Sequence, residues 1–364
     1  MSAGKRVRVH AVAVVLALCA LLDPVRAQAQ DVRVTELHSG STSVLQAISP
    51  VNDQTVWVSG HEGAILRSAD GGDSWLSVPS PANDSLQFRD IHAFGWESAV
   101  ILSAGEGALS RIYRTDDAGL NWTTQFVMDD PRGFLDCLAF WDEDRGFAYG
   151  DSFDGRLFIL VTDDGGRQWR RPPAVGTNGA TQIPEASEGE GGFAASGSCA
   201  QVGPDGRGWI GTGAGAAPRL LESDDFGLTW RATPVPLASG GSAGLFTIAM
   251  ANGSPAMLLG GDLSTPDDVT PNVAMSPDGG ATWRRSPTAS PIPGAVYGSA
   301  APVVDGSVWV FGFAPPGAAY TRDGGAAWLP IENVSAWAAA FGPSGHRGWA
   351  VGGQGRIWRL DIVR

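Results

Sequence analysis

Residues 68–75 read SADGGDSW, and this spacing of residues occurs six times along the chain. Each copy contains a hydroxyl residue, an Asp two positions later, a Gly two positions after that, and a Trp three positions further on. Six copies of one spacing indicate a repeated structural unit, and the repeat therefore decides the fold. The other copies are TDDAGLNW (115–122), TDDGGRQW (162–169), SDDFGLTW (223–230), SPDGGATW (276–283) and TRDGGAAW (321–328).

The repeated motif predicts a turn that stabilises itself. Its carboxylate can accept hydrogen bonds from backbone N–H groups of the turn, its Gly can adopt a positive φ, and its Trp can pack under the turn. A short apolar stretch such as AILRS at 64–68 precedes the turn, so the unit is a β-hairpin. We predict a structural role for the Asp and Trp of each copy: Asp70, Trp75, Asp117, Trp122, Asp164, Trp169, Asp225, Trp230, Asp278, Trp283, Asp323 and Trp328.

Each repeat is long enough for four short strands, which is the size of one blade of a β-propeller. The first blade runs from LQAISP at 45–50 to WLSVP at 75–79. After the sixth blade, residues 336–361 supply only three strands, while residues 32–39 supply one unassigned strand before the first blade. The sequence therefore predicts an all-β, seven-bladed β-propeller with four-stranded blades, whose last blade is closed by the N-terminal strand.

The first 29 residues have the pattern of a secretory signal peptide. Basic residues precede the apolar run AVAVVLALCALL (11–22), and small residues follow it at a suitable cleavage site. The apolar run is short for a bilayer span. We therefore expect residues 1–29 to be a signal peptide, residues 30–364 to form a single propeller, and the protein to be exported to the periplasm or the extracellular space.

The chain is acidic, with a formal net charge of −13. Residues 1–29 hold four basic residues and one acidic residue, so the remainder carries −16. Nucleic acids and anionic membranes attract basic proteins, so we expect no nucleic-acid partner and at most a peripheral association with a membrane. We expect the protein to be a monomer.

Two cysteines, Cys137 and Cys199, follow the signal peptide and lie in corresponding strands of neighbouring repeats. An oxidising compartment permits a disulfide between them. Two separate buried thiols are the arrangement that packing behaviour favours. No pair of Cys and His clusters has the spacing of a metal site, so we expect no cofactor.

The six turns resemble Asp boxes, which are also called BNR repeats. The chain resembles exported propellers related to the photosystem II stability and assembly factor of plastids and cyanobacteria, in a bacterial branch of that group. FRDIHAF (88–94), FLDCLAFWDEDRGFAYGD (134–151) and EGGFAASGSC (190–199) also carry the resemblance, which covers essentially all of the chain after the signal peptide. It implies a scaffold that binds a protein partner, a membrane-complex subunit, during assembly.

Asp boxes also occur in sialidases, so a catalytic propeller is the alternative. Sialidases on this fold use an arginine cluster, a Tyr–Glu pair and an acidic proton donor, and FRDI at 88–91 lacks the Pro of their usual F/Y-R-I-P opening. A retaining glycosidase needs two carboxyls that face one sugar bond, and the sequence assigns no such pair. We therefore expect that the protein is not an enzyme. The alternative is a glycan-binding or sialidase-like glycoside hydrolase propeller, and a third possibility is an extracellular sensor or adhesin.

In a propeller, the innermost strands begin on the face that carries the turns between second and third strands, and the Asp boxes lie on the opposite face. We call the face with the starts of the innermost strands the pore face. Polar residues on this face are the candidate binding residues. FRD (88–90) and FLD (134–136) look equivalent, so their Asp residues would face the channel from adjacent blades. The candidates are Arg89, Asp90, Arg132, Asp136, Asp151, Asp154 and Ser196, with His61, Glu62, Glu106 and Asp262 nearby.

Such a carboxylate cluster has three interpretations. It binds a hard cation through oxygen ligands, it meets a basic partner, or it pairs with Arg89 and Arg132 and hydrates the channel. The sequence does not choose among them. The stretch at 172–192 is predicted to be a long surface loop. We expect a secreted, non-enzymatic scaffold that holds a polypeptide on the pore face or in a groove between blades.

Overall fold

The computed structural model describes Met1 and residues 31–82, 85–176, 182–215, 217–269 and 272–363. Seven antiparallel sheets surround a central channel, so the predicted all-β, seven-bladed β-propeller is confirmed. The predicted signal peptide, apart from Met1, lies outside the described residues. Within these ranges, no helix has both the length and the apolarity needed to cross a membrane.

The strands are numbered in chain order, and each blade is given from its inner to its outer strand. Blade 1 consists of β2–β5 (Leu45–Pro50, Val56–Gly60, Ile65–Ser68, Leu76–Ser77), and blade 2 consists of β6–β9 (Phe88–Ala93, Ala99–Ser103, Arg111–Thr115, Thr123–Val127). Blade 3 consists of β10–β12 (Leu135–Phe140, Gly146–Phe153, Arg156–Thr162). Blade 4 consists of β13–β16 (Ala200–Val202, Gly208–Gly211, Arg219–Ser223, Arg231–Pro234). Blades 5 to 7 consist of β17–β20 (Ala243–Ala251, Ser254–Asp262, Val273–Met275, Arg284–Arg285), β21 and β24–β26 (Gly298–Ala300, Val310–Ala314, Gly317–Thr321, Leu329–Ile331) and β27–β29 with β1 (Ala336–Phe341, Arg347–Gly352, Ile357–Ile362, Val32–Leu37). A small hairpin of β22 (Val303–Val304) and β23 (Ser307–Val308) follows β21.

The hydrophobic core lies between neighbouring blades. The second strands are apolar on both faces, and every residue of β3 and β7 is buried, because each of these strands packs against a blade on either side. Trp57 of β3 shows the contact: its ring meets the ring of Trp122 in blade 2, with centroids 6.4 Å apart, and its indole N–H donates to the Gly95 carbonyl at 3.0 Å. The outer strands are largely exposed.

The two ends of the described chain close the ring. Strand β1 pairs antiparallel with β29, in a register that runs from Val32 opposite Ile362 to Leu37 opposite Ile357. The predicted closure of the last blade by the N-terminal strand is therefore confirmed. This pairing gives blade 7 its fourth strand and removes a free sheet edge.

Blade 3 departs from the predicted pattern. The four-strand repeat predicts a fourth strand in the segment WRRPP at 169–173, but this segment contributes only an isolated bridge between Arg170 and Val161. Pro172 and Pro173 have no N–H to donate, so the segment cannot continue the hydrogen-bond ladder beyond that bridge.

The Asp boxes have the predicted geometry. In the third box, the Thr162 hydroxyl donates to Asp164 Oδ1 at 2.9 Å and accepts the Gly166 N–H at 2.9 Å, while the Gln168 N–H donates to Asp164 Oδ1 at 2.9 Å. Gly166 has a φ of 80°, and the Trp169 ring lies directly beneath it. The same hydroxyl-to-carboxylate bond recurs in all six boxes, so the boxes are structural locks.

Replacing Thr162 with Val is expected to lower the free energy of unfolding by about 1–3 kcal/mol. The change keeps the shape of the side chain but leaves the buried N–H of Gly166 without an acceptor. Urea denaturation measures the effect. Thr123→Val, at an exposed position of β9, is the matched control and should change stability by less than about 0.5 kcal/mol. Equal effects of the two substitutions would contradict a locking role for the hydroxyl.

Candidate functional site

A one-residue β-bulge interrupts the inner strand of five blades near its first residue. Bulges redirect a side chain, and they are frequent next to functional sites. Each bulged residue here lies at the mouth of the channel on the face opposite the Asp boxes. These residues are Gln46 in blade 1, Arg89 in blade 2, Asp136 in blade 3, Phe246 in blade 5 and Trp337 in blade 7.

The bulges correct the predicted alignment of FRD with FLD. Asp90 pairs with Leu102 just after its bulge, whereas the residue at the corresponding place in blade 3 is Cys137, which pairs with Tyr149. The predicted equivalence of Asp90 and Asp136 is therefore wrong by one position. Asp136 corresponds to Arg89, because both strands carry their bulge at the same place and FLD begins one residue earlier relative to that bulge than FRD does.

Residues 190–199 (EGGFAASGSC) cross the channel mouth, and we call this segment the plug. The Ala194 carbonyl accepts a hydrogen bond from the side-chain amide of Gln46 in blade 1 at 2.7 Å. The Ser196 hydroxyl donates to the carbonyl of Tyr297, next to blade 6, at 2.8 Å. The four-strand repeat predicts the inner strand of blade 4 at 193–202, but that strand begins only at Ala200, because the preceding residues of the plug span the ring.

Both ends of the plug are anchored. At its start, the buried Glu190 pairs with Arg219 and accepts the Thr212 hydroxyl at 2.8 Å. At its end, Cys199 forms a disulfide with Cys137 of β10. The expectation of two separate thiols is therefore wrong, because the inner strands of blades 3 and 4 bring the two sulfur atoms together. The predicted surface loop at 172–192 also ends in the interior rather than on the surface.

Asp90 lies beneath the plug. Its carboxylate accepts the N–H groups of Ile91 at 2.8 Å and of Leu138 in blade 3 at 2.7 Å. A side chain at Gly197 of the plug would overlap this carboxylate, so the plug requires a glycine there. Burial raises the pKa of Asp90 to about 8, against the opposing effect of the two backbone hydrogen bonds. Asp90 is therefore largely protonated at neutral pH.

Asp136, which is buried, and Asp151, which is half-buried, form a carboxyl pair under the start of the plug. The Gly192 N–H donates to Asp151 Oδ1 at 3.1 Å, and a side chain at Gly192 would overlap the Asp136 carboxyl. Burial raises the pKa of both groups, and the charge of Asp151 raises that of Asp136 further. Within the described part of the chain, Asp136 Oδ2 and the Tyr149 hydroxyl are buried without a hydrogen-bond partner. The pair is a support for the plug rather than a surface for a ligand.

The remaining predicted residues divide between two places. Arg89 is at the mouth, where its guanidinium donates to Gln87 Oε1 at 3.0 Å and to the plug at the Ala194 carbonyl. Arg132 and Asp154 are exposed and pair with each other at 2.8 Å, away from the mouth carboxylates. Across the residues that the structure describes, no three His, Cys, Asp or Glu side chains are grouped to hold a metal ion.

An aromatic row, which the repeat pattern did not predict, lies along one half of the mouth. Phe193 of the plug stacks on Phe246 with ring centroids 3.7 Å apart, and Phe246 lies 6.0 Å from Tyr297. Tyr297 meets Trp337 edge to face at 5.2 Å, and the Trp337 ring lies 6.3 Å from His61. Phe246 is buried, and the other four are partly exposed. The signal that could have found the row is an aromatic residue at the bulge position of blades 5 and 7.

The channel continues below the plug and opens on the Asp-box face. This cavity has a volume of about 520 Å³. The hydroxyls of Ser198, Thr247 and Ser299 form a chain at its closed end, with O···O distances of 2.7 and 2.6 Å. Because the plug blocks one end, the two faces of the ring offer separate surfaces.

Comparison with known proteins supports the resemblance. Residues 27–134 match the family "Photosynthesis system II assembly factor YCF48". No curated protein sequence is significantly similar to this chain. Among solved structures, "YCF48 bound to D1 peptide" is similar with a TM-score of 0.60 and 14% identity, covering 93% of this chain and 98% of that chain. YCF48 from Cyanidioschyzon merolae is similar with a TM-score of 0.59 and 17% identity, covering 90% and 98%.

A glycoside hydrolase has the same fold. The GH74 xyloglucanase from Xanthomonas campestris is similar with a TM-score of 0.59 and 16% identity, covering 90% of this chain and 53% of that chain. At these identities, the structural matches establish the shared propeller fold. Together with the family match, they confirm the predicted resemblance to BNR propellers related to YCF48.

Proposed function

We propose that this propeller is a non-enzymatic scaffold that binds a polypeptide segment of a membrane-complex subunit on its plug face. The observation that carries the proposal is the aromatic row, in which the partly exposed side chains of Tyr297 and Trp337 lie on a rigid closed framework. In protein–protein interfaces, aromatic residues inside a polar rim commonly contribute most of the binding energy.

The plug determines which residues a partner touches. Asp90, Asp136 and Asp151 lie beneath it, so we assign them the role of holding the plug and not of direct contact. Ser196 acts in the same way through its bond to Tyr297. The partner contacts are then the aromatic row and Arg89, with the exposed Arg132–Asp154 pair outside this set.

The nature of the partner is proposed from the comparisons. One similar structure is titled "YCF48 bound to D1 peptide", and the first part of this chain matches the YCF48 assembly-factor family. We propose by analogy that the partner is a protein of a membrane complex and that the protein works after export. The disulfide supports export, because disulfides persist in oxidising compartments.

A hydrolase function is less well supported. The GH74 neighbour shares the fold, and fold alone does not transfer an activity. The carboxyl pair of this chain, Asp136 and Asp151, lies against Gly191 and Gly192 of the plug, which restricts the access of a sugar bond to it.

The test is capture of a partner from a native envelope extract with the immobilised protein. We expect wild-type protein to retain a membrane-complex subunit, identified by mass spectrometry, and Trp337→Ala to lose most of it because the centre of the contact is removed. Trp96→Ala is the matched control, since Trp96 lies on the Asp-box face. Retention by Trp337→Ala together with loss in Trp96→Ala would place the partner on the other face and overturn the proposal.

A further inference from the structure

The exposed end of the aromatic row is held in a fixed position. Trp337 lies at the bulge of β27 and is contacted by Tyr297 on one side and His61 on the other. Tyr297 is backed by the buried ring of Phe246. A preorganised pair of rings costs little conformational entropy on binding, which makes it a good anchor for one side chain of a partner.

Acidic side chains surround this half of the mouth. Glu62 is exposed and directly follows His61, and Glu332 is exposed in the connection that leads into β27. Asp267 and Asp268 are exposed in the turn after β18, and the Asp268 carbonyl accepts the N–H of Gly294, three residues before Tyr297. These groups give the aromatic row a negative rim.

The basic groups of the mouth do not offset this rim. The Arg89 guanidinium is already engaged with Gln87 and the Ala194 carbonyl. Arg356, which lines the same groove as Glu332, is paired with Glu36. Burial, followed by the charge of Arg89, lowers the pKa of His61, so His61 is neutral at pH 7. Aromatic ring faces and negative charges therefore occur together on this surface, and both attract a cationic side chain.

We propose that the aromatic row at Tyr297 and Trp337 binds a Lys or Arg side chain of an extended, basic polypeptide segment. This inference rests on the proposed function, because it names the chemistry of the partner at the same site. The cation lies against the Trp337 and Tyr297 rings, and the carboxylates of Glu62 and Glu332 attract the rest of the basic segment. An acidic or a purely apolar segment is disfavoured by the same rim.

The test uses three labelled peptides of equal length that alternate Gly with Lys, Glu or Gln. Fluorescence anisotropy measures their binding to the purified protein at low ionic strength. We expect the Lys peptide to bind most tightly, and Trp337→Leu to weaken it about tenfold, because the substitution keeps an apolar side chain but removes the ring. Tyr297→Leu should act in the same direction.

Two controls separate the site from general attraction to an acidic protein. Trp96→Leu on the Asp-box face keeps the same net charge and should not change binding of the Lys peptide. Glu62→Gln combined with Glu332→Gln should weaken it and reduce its dependence on salt. Melting temperatures of all variants check that each one is folded.

The outcomes distinguish this inference from the proposed function. Equal binding of the Lys and Glu peptides, or equal effects of Trp337→Leu and Trp96→Leu, would overturn the cationic partner. If the envelope partner is still lost in Trp337→Ala, the site stands and only the chemistry of its partner is wrong. If neither the peptide nor the envelope partner depends on Trp337, both proposals fail.

Discussion

Replacing Cys199 with Ser is expected to lower the free energy of unfolding by about 4 kcal/mol. The disulfide joins residues 62 positions apart, and a cross-link of that span restricts the unfolded chain strongly. It also ties the end of the plug to β10, so its loss frees the segment that covers the mouth. Urea denaturation of the wild type and of Cys199→Ser measures the difference in midpoint.

The control for this prediction is chemical. Cys137→Ser and the double variant should match Cys199→Ser, and a reductant should bring the wild type to the same midpoint while leaving the double variant unchanged. A midpoint for reduced wild type that equals the oxidised one would show that the bond contributes nothing to stability.

Raising the pH from 6 to 9 is expected to destabilise the wild type by about 3 kcal/mol through Asp90. The pKa of Asp90 is about 8 in the folded protein and lies near 4 in the unfolded chain. The folded state therefore binds the proton more tightly, and its stability falls as the pH rises between these two values. The raised pKa values of Asp136 and Asp151 add a change of the same sign.

Asp90→Asn is the matched variant for the pH experiment. It removes the titrating group, so the slope of stability between pH 6 and 9 should be shallower than that of the wild type. At pH 6 the variant should be less stable, because an amide cannot accept both backbone N–H groups as a carboxyl does. Parallel pH profiles for the two proteins would rule out Asp90 as the titrating group.

At low pH, the Asp boxes make the stability of the fold rise with increasing pH, which is opposite to the effect of Asp90. Hydrogen bonds to side-chain and backbone donors of the turn lower the pKa of Asp278 to about 2. A carboxylate with a lowered pKa stabilises the fold above its unfolded pKa, and this contribution is lost as the pH falls towards 2. Stability should therefore be highest in the weakly acidic range between the two effects.

The fold was predictable because the residues that determine each turn lie within one short motif, and this motif recurs along the chain. Each Asp box contains its own hydroxyl, carboxylate and glycine, so one copy such as SADGGDSW predicts its geometry without the rest of the chain. Counting the copies, and matching three C-terminal strands with one N-terminal strand, then gave the number of blades and the closure.

The site was less predictable because it depends on departures from the repeat. FRD and FLD look alike in the sequence, but FLD begins one residue earlier relative to the bulge of its strand, so Arg89 corresponds to Asp136. The plug has no counterpart in the other blades, and its Gly, Ala and Ser residues carry no periodic pattern. Asp90 lines the channel cavity and Asp136 lies against Gly192 of the plug, but the sequence contains nothing that shows a segment covering them.

The pairing of β1 with β29 affects the order in which the protein can fold. Strand β1 is synthesised before its partner β29, so it must remain unpaired while the six intervening blades are synthesised. Contacts between distant parts of a chain form slowly and expose strand edges in the meantime. A nascent chain that stops before β29 would carry two open edges, and we expect such fragments to be substrates for chaperones and proteases rather than stable partial rings.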